Sequence, residues 1–132
     1  MLIVLSITSL LLIFTILQVK KFEDEQKMML FIQMLQNDIF LAQRNASLKQ
    51  IPTRIIFYKR SYEMEDNLLN PPIVIRHFDR DIVITYLTLM PPLRYNSNGN
   101  ISTSGTISVK YKNIEYIVTF YLGSGRFKYV KK

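Results

Sequence analysis

The cations Arg126, Lys128, Lys131 and Lys132 are the residues of this chain whose type and spacing best suit contact with a charged ligand. They are interleaved with Phe127 and Tyr129. In an extended strand Arg126, Lys128 and Val130 share one face, while Phe127 and Tyr129 share the other. A basic face of this kind can touch phosphate groups without reading a base sequence. The pattern alone favours a plainer reading, a solvated edge strand that its lysines guard against pairing with another chain.

Other reactive side chains suggest little chemistry. His77 is the only histidine, and a lone histidine in a strand-like stretch is ordinarily a surface residue rather than a base or metal ligand. Asp79 and Asp81 flank Arg80, which suits ion pairing better than an acid–base dyad and offers a hard cation only a weak site. Gly123-Ser124-Gly125 lies between two strand-like stretches, not between a strand and a helix N-terminus, so it is not a phosphate loop. Asn45-Ala46-Ser47 and Asn100-Ile101-Ser102 match the glycosylation acceptor pattern, the first of them inside a helical stretch. No nucleophile has a visible base partner. Cysteine is absent, which removes thiolate metal sites and a disulfide framework. No enzyme, cofactor or metal centre is expected.

The net charge of +7 is unevenly placed. Residues 105–132 carry six cations against the single carboxylate of Glu115, whereas the earlier stretches are nearly balanced. The excess suits anionic lipid, a cell-wall polymer or nucleic acid. With 48% hydrophobic residues the chain is not of disordered composition. Its 132 residues allow one domain plus an anchor.

That anchor is residues 1–19, which carry no charge before Lys20. Their polar residues are Ser6, Thr8, Ser9, Thr15 and Gln18, and helical Ser and Thr hydroxyls can bond back to the carbonyl one turn earlier. Nineteen helical residues span about 28 Å, close to the ~30 Å hydrocarbon core of a bilayer. Leu2, Val4, Leu5, Leu10, Leu11, Leu12, Ile13 and Phe14 are the expected membrane and assembly surface. A cleaved signal peptide and a buried core helix are the alternatives. The first lacks a small-residue cleavage site and the second lacks an apolar stripe. The flanking charges pose a puzzle: Lys20-Lys21 follow the span, which by the positive-inside rule would hold the rest of the chain inside.

Residues 20–50 contain no Gly or Pro, and Met28, Phe31, Leu35, Ile39, Ala42 and Ala46 recur at spacings of three and four. This is one face of an amphipathic helix, the face expected to pack on the head. Nothing interrupts the helix between the two stretches, so a single helix is expected from near Met1 to about Leu48, stopped by Pro52. Glu23-Asp24-Glu25 reads as a solvated juncture. From residue 51 to 132 the period falls to about two. Strands are expected at 53–59, 73–75, 82–87, 93–95, 105–111, 115–122 and 126–130, with Glu63 to Asn67 as loop. The last three form a meander. The fold class is α+β, a long N-terminal helix packed on antiparallel sheet.

Three stretches together resemble the pseudopilins of type IV pilus and type II secretion systems. They are Met1 to Leu12, Leu41 to Ala46 leading into Arg54–Tyr58, and Tyr116 to Tyr129 with Leu122-Gly123-Ser124-Gly125-Arg126. The chain is similar to the GspH/FimT-like minor pseudopilins, and its cysteine-free composition rich in Ile, Lys, Asn and Tyr suggests their Gram-positive competence branch. The resemblance implies a single-pass membrane protein with its head outside, reaching the cell surface when assembled. It also implies major and minor pseudopilin partners and support of DNA uptake in transformation, with Arg126, Lys128, Lys131 and Lys132 as candidate DNA contacts. It further implies a basic leader, a peptidase site and a docking Glu ahead of Met1, and that leader would resolve the charge puzzle. A secretion or adhesion pseudopilus without a DNA role, or an unrelated membrane-anchored envelope domain, remain the rival readings.

Overall fold

The computed structural model describes residues 1–66, 69–123 and 125–132, with Leu17 described by its backbone only. One helix, α1 (Leu2–Lys49), fills the first third of the chain. It ends where Gln50 turns into the left-handed region at φ 55°, two residues before Pro52. At 48 residues it is about 72 Å long.

The rest is antiparallel strand: β1 (Thr53–Phe57), β2 (Ser61–Glu65), β3 (Val74–His77), β4 (Ile82–Tyr86), β5 (Leu93–Tyr95), β6 (Gly105–Tyr111), β7 (Ile114–Phe120) and β8 (Phe127–Lys131). They form two sheets, ordered β3-β2-β1-β5 and β4-β6-β7-β8. The arrangement is α+β, with β6, β7 and β8 as the expected meander. Strand β2 corrects the expectation of a loop over its second half; Asn67, at the end of that expected loop, lies outside the described residues. The acidic residues there point outward, while Tyr62 and Met64 alternate inward and are fully buried. Glu65 stands opposite Arg54 on β1 and accepts a hydrogen bond from its Nε at 2.7 Å.

Both sheets feed one core beneath the second half of α1. Met28, Phe31, Ile32, Leu35, Ile39, Ala42 and Ala46 are buried on the helix. They meet Ile55, Tyr62, Met64 and Leu93 of the first sheet and Ile107, Val109, Val118 and Phe120 of the second. Two links join the sheets. The Tyr86 hydroxyl accepts from Phe57 N at 3.2 Å, and Ile101 bridges Tyr95 on one side and Gly123 on the other.

A buried carboxylate pins the helix to the first sheet. Asp38, 3% exposed, sits on the apolar stripe between Leu35 and Ala42. It accepts from the Tyr62 hydroxyl at 2.6 Å and from Arg76 Nε and Nη2 at 2.9 and 3.2 Å. Burial, then the hydrogen bond to Asp38, pushes the Tyr62 hydroxyl pKa far above its ordinary value. Hydrogen bonding to Asp38 also raises that of Arg76.

Candidate functional site

Three regions of the surface stand out by their apolar or charged side chains. The first is the apolar start of α1. Leu2, Val4, Leu5, Leu10, Leu11, Leu12, Ile13 and Phe14 are each more than half exposed, and no face of this stretch is covered by the head. Three of its hydroxyls are turned back on the helix: Ser6 donates to the Ile3 carbonyl at 2.7 Å, Thr8 to Leu5 at 3.0 Å and Thr15 to Leu11 at 2.9 Å. These three hydroxyls are thereby satisfied internally, which a lipid surround requires. By length and composition the segment can cross a membrane.

The second region is a groove between the middle of α1 and the β7–β8 connection. Its volume is about 900 Å³, and Phe40, Tyr121, Leu122, Arg126 and Lys128 line it. Phe40 is 48% exposed and Tyr121 45%, so two aromatic rings face solvent beside two cations. Arg126 and Lys128 form no ion pair among the described residues, and no carboxylate lines the groove. An adjoining depression shares Phe40 and adds Arg44. Two glycines let the loops close on the helix here. A Cβ on Gly125 (φ 71°) would run into the Gln43 side-chain amide, and one on Gly99 (φ 78°) would lie 3.0 Å from the Gln43 carbonyl oxygen and the Ser47 Cβ. This accounts for the Gly at position 125 immediately before Arg126. Ser124 lies outside the described residues.

The four C-terminal cations therefore part into two pairs. Strand β8 is the free edge of the second sheet, and Arg126 and Lys128 are exposed. On its other face Phe127 and Tyr129 pack against Phe120 and Tyr116 at ring separations of 5.8 and 6.0 Å. Lys131 instead binds Glu25 at 2.9 Å, and Lys132 reaches Glu115 at 3.5 Å.

The third region is the base of the head. Asp24 accepts from Lys112 Nζ at 2.7 and 2.9 Å. The hydrogen bond from Lys112, and from Lys131 in the case of Glu25, holds both carboxyls below their ordinary pKa. Two residues of the expected solvated juncture are thus tied to the head, and only Glu23 of the three is exposed. These are surface pairs, so position rather than stability is their main contribution.

The remaining polar candidates have local roles. His77 is exposed at the end of β3. Asp79 accepts the Asp81 backbone N–H at 3.0 Å and shapes the turn into β4, while Arg80 makes no ion pair among the described residues, contrary to expectation. Among the described residues no three His, Asp or Glu side chains are grouped to hold a metal. Asp38 is the polar residue that sequence reasoning passed over. Its position three after Leu35 and four before Ala42 was the available signal.

No family model matches the chain, and no solved structure does. One curated protein does: competence protein ComGD of Bacillus subtilis (strain 168), 32% identical over 131 residues, a match covering 99% of this chain and 89% of that relative.

Proposed function

This chain belongs to the ComGD family of competence proteins, and from that premise we propose that it is a minor pseudopilin supporting DNA binding and uptake in natural transformation. It acts as a structural subunit, not an enzyme. Residues 1–19 serve as the membrane and pilus-core segment, 20–50 as the amphipathic continuation and 51–132 as the head, which faces outward and reaches the cell surface on assembly.

The observation that carries this reading is the uncovered apolar half of α1, joined without a break to a half that the head does cover. In the membrane, lipid covers the first half. On assembly, helices of other pseudopilins replace lipid, an exchange driven by close packing because lipid tails are as apolar as leucine. The head travels with the helix as one piece. In the groove, Arg126 and Lys128 are free to meet phosphates, and Phe40 and Tyr121 offer rings on which bases can stack.

Two measurements test the proposal. Tagged protein in transforming cells is expected in both the membrane and the sheared fibre fraction; recovery from membranes alone would sink the assembly role. For DNA, Arg126→Ala with Lys128→Ala should reduce the slope of log affinity against log salt by about 1–2, because each lost phosphate contact removes about 0.7–0.9. An unchanged slope would remove this groove from DNA contact.

A further inference from the structure

The basic excess of the chain is divided between the groove and the base of the head, and the two places differ in what they can meet. At the base, a cavity of about 470 Å³ is lined by Lys20, Lys21, Lys112, Asn113 and Lys131, together with the paired Asp24 and Glu25. We propose that this base is a seat for the phosphate headgroups of anionic phospholipid, which fixes the height and tilt of the head on the membrane before assembly. The inference rests on Leu2–Val19 crossing a bilayer.

Distance along the helix carries it. The apolar run ends at Val19, and the head first grips α1 at Asp24 and Glu25. Five residues rise about 7–8 Å. A bilayer's headgroup layer extends about 5–8 Å beyond its hydrocarbon on each side. The Lys112–Asn113 turn and the end of β8 are therefore held at headgroup level, not above it.

Charge carries it further. Residues 20–27, 110–115 and 131–132 together hold seven lysines against four carboxylates. Asp24, Glu25 and Glu115 pair with Lys112, Lys131 and Lys132, which leaves Lys20, Lys21, Lys27 and Lys110 against Glu23 and the base with an excess of three positive charges. Lys20 and Lys21 form no ion pair among the described residues, and both border the cavity. An anionic membrane surface attracts such lysines only within a Debye length, about 10 Å at 0.1 M salt, which the base satisfies.

The absence of cysteine permits a direct test with single-cysteine variants of the full chain. Asn113→Cys carries a fluorophore in nanodiscs of phosphatidylcholine alone or mixed with phosphatidylglycerol, with a headgroup-attached quencher in both. Asn98→Cys, beside the far end of α1, is the control. Quenching at position 113 is expected to be stronger in the anionic discs, to lose that excess in high salt, and to lose it in Lys20→Gln with Lys21→Gln. Position 98 should show no contrast. Equal quenching at 113 in both discs, with the chain inserted in each, overturns the headgroup seat alone. Failure to co-purify with either disc overturns the membrane span and this proposal with it. Loss of the contrast on adding inorganic phosphate at matched ionic strength would assign the cavity to a free anion and overturn the lipid assignment. Persistence of the contrast supports it.

Discussion

The two halves of α1 share one backbone and differ in what covers them. From Leu2 to Phe22 the large apolar side chains described are all exposed, whereas Met28, Ile32, Leu35, Ile39, Ala42 and Ala46 are sealed under the head. The first half is apolar all round, and Ser6, Thr8 and Thr15 there bond to its own carbonyls. The second half concentrates apolarity in a stripe, and the stripe admits a carboxylate, Asp38, because Tyr62 and Arg76 meet it there. A fixed partner permits specific polar contacts. A partner that changes, first lipid and then other helices on the proposed assembly, favours a surface that needs none.

The largest expected effect sharpens this contrast. Leu35→Ala should destabilise the head by about 2–5 kcal/mol through the cavity it leaves. Leu11→Ala should leave head unfolding unchanged, as read by denaturant titration of the full chain in detergent. Equal shifts from the two would break the distinction between the halves. Next is Asp38→Asn, expected to cost about 1–3 kcal/mol because it weakens buried hydrogen bonds to Tyr62 and Arg76. A neutral result would mean that the stripe does not depend on the hydrogen bonds to Asp38.

A smaller effect concerns the boundary between the halves. Asp24 and Glu25 have folded pKa values below their ordinary ones. Their contribution is therefore complete above the ordinary carboxylate range and is lost as pH falls through the lowered values. Amide protection at the Lys112–Asn113 turn, taken against the intrinsic exchange rate at each pH, should fall in acid before the core opens, and simultaneous opening would show that the base is not a separate fastening. The smallest effect on stability is that of Arg126→Ala with Lys128→Ala, within about 0.5 kcal/mol, because both side chains are exposed and unpaired. A larger loss would mean that the groove is held together by its cations.

The helix was legible because its signal is local: spacings of three and four from Met28 to Ala46, with no Gly or Pro before Pro52. Strand β2 was obscured by Glu63, Glu65 and Asp66, although Tyr62 and Met64 kept the period of two. The division into two sheets was not legible, since β4 pairs with β6 across the intervening β5 and nothing in Ile82–Tyr86 specifies that partner. The candidate site divides in the same way. Alternation on β8 put Arg126 and Lys128 on the outer face, but the Lys131–Glu25 pair joins residues 106 apart, and Asp38 meets Tyr62 and Arg76 from 24 and 38 positions away. Such contacts belong to topology, which a single sequence does not spell out.

The fastenings between helix and head lie in a line. Lys112 and Lys131 hold one end at Asp24 and Glu25, Arg76 and Tyr62 hold Asp38 in the middle, and Asp66 holds Lys49 at 3.0 Å at the other end. From residue 24 to residue 49 this line is about 37 Å long. Traction along the rod loads every fastening and the whole apolar stripe in shear, so all must yield together. A sideways pull at the Lys49 end peels them one after another. The subunit is therefore mechanically anisotropic, resistant along the axis of α1 and weak across it.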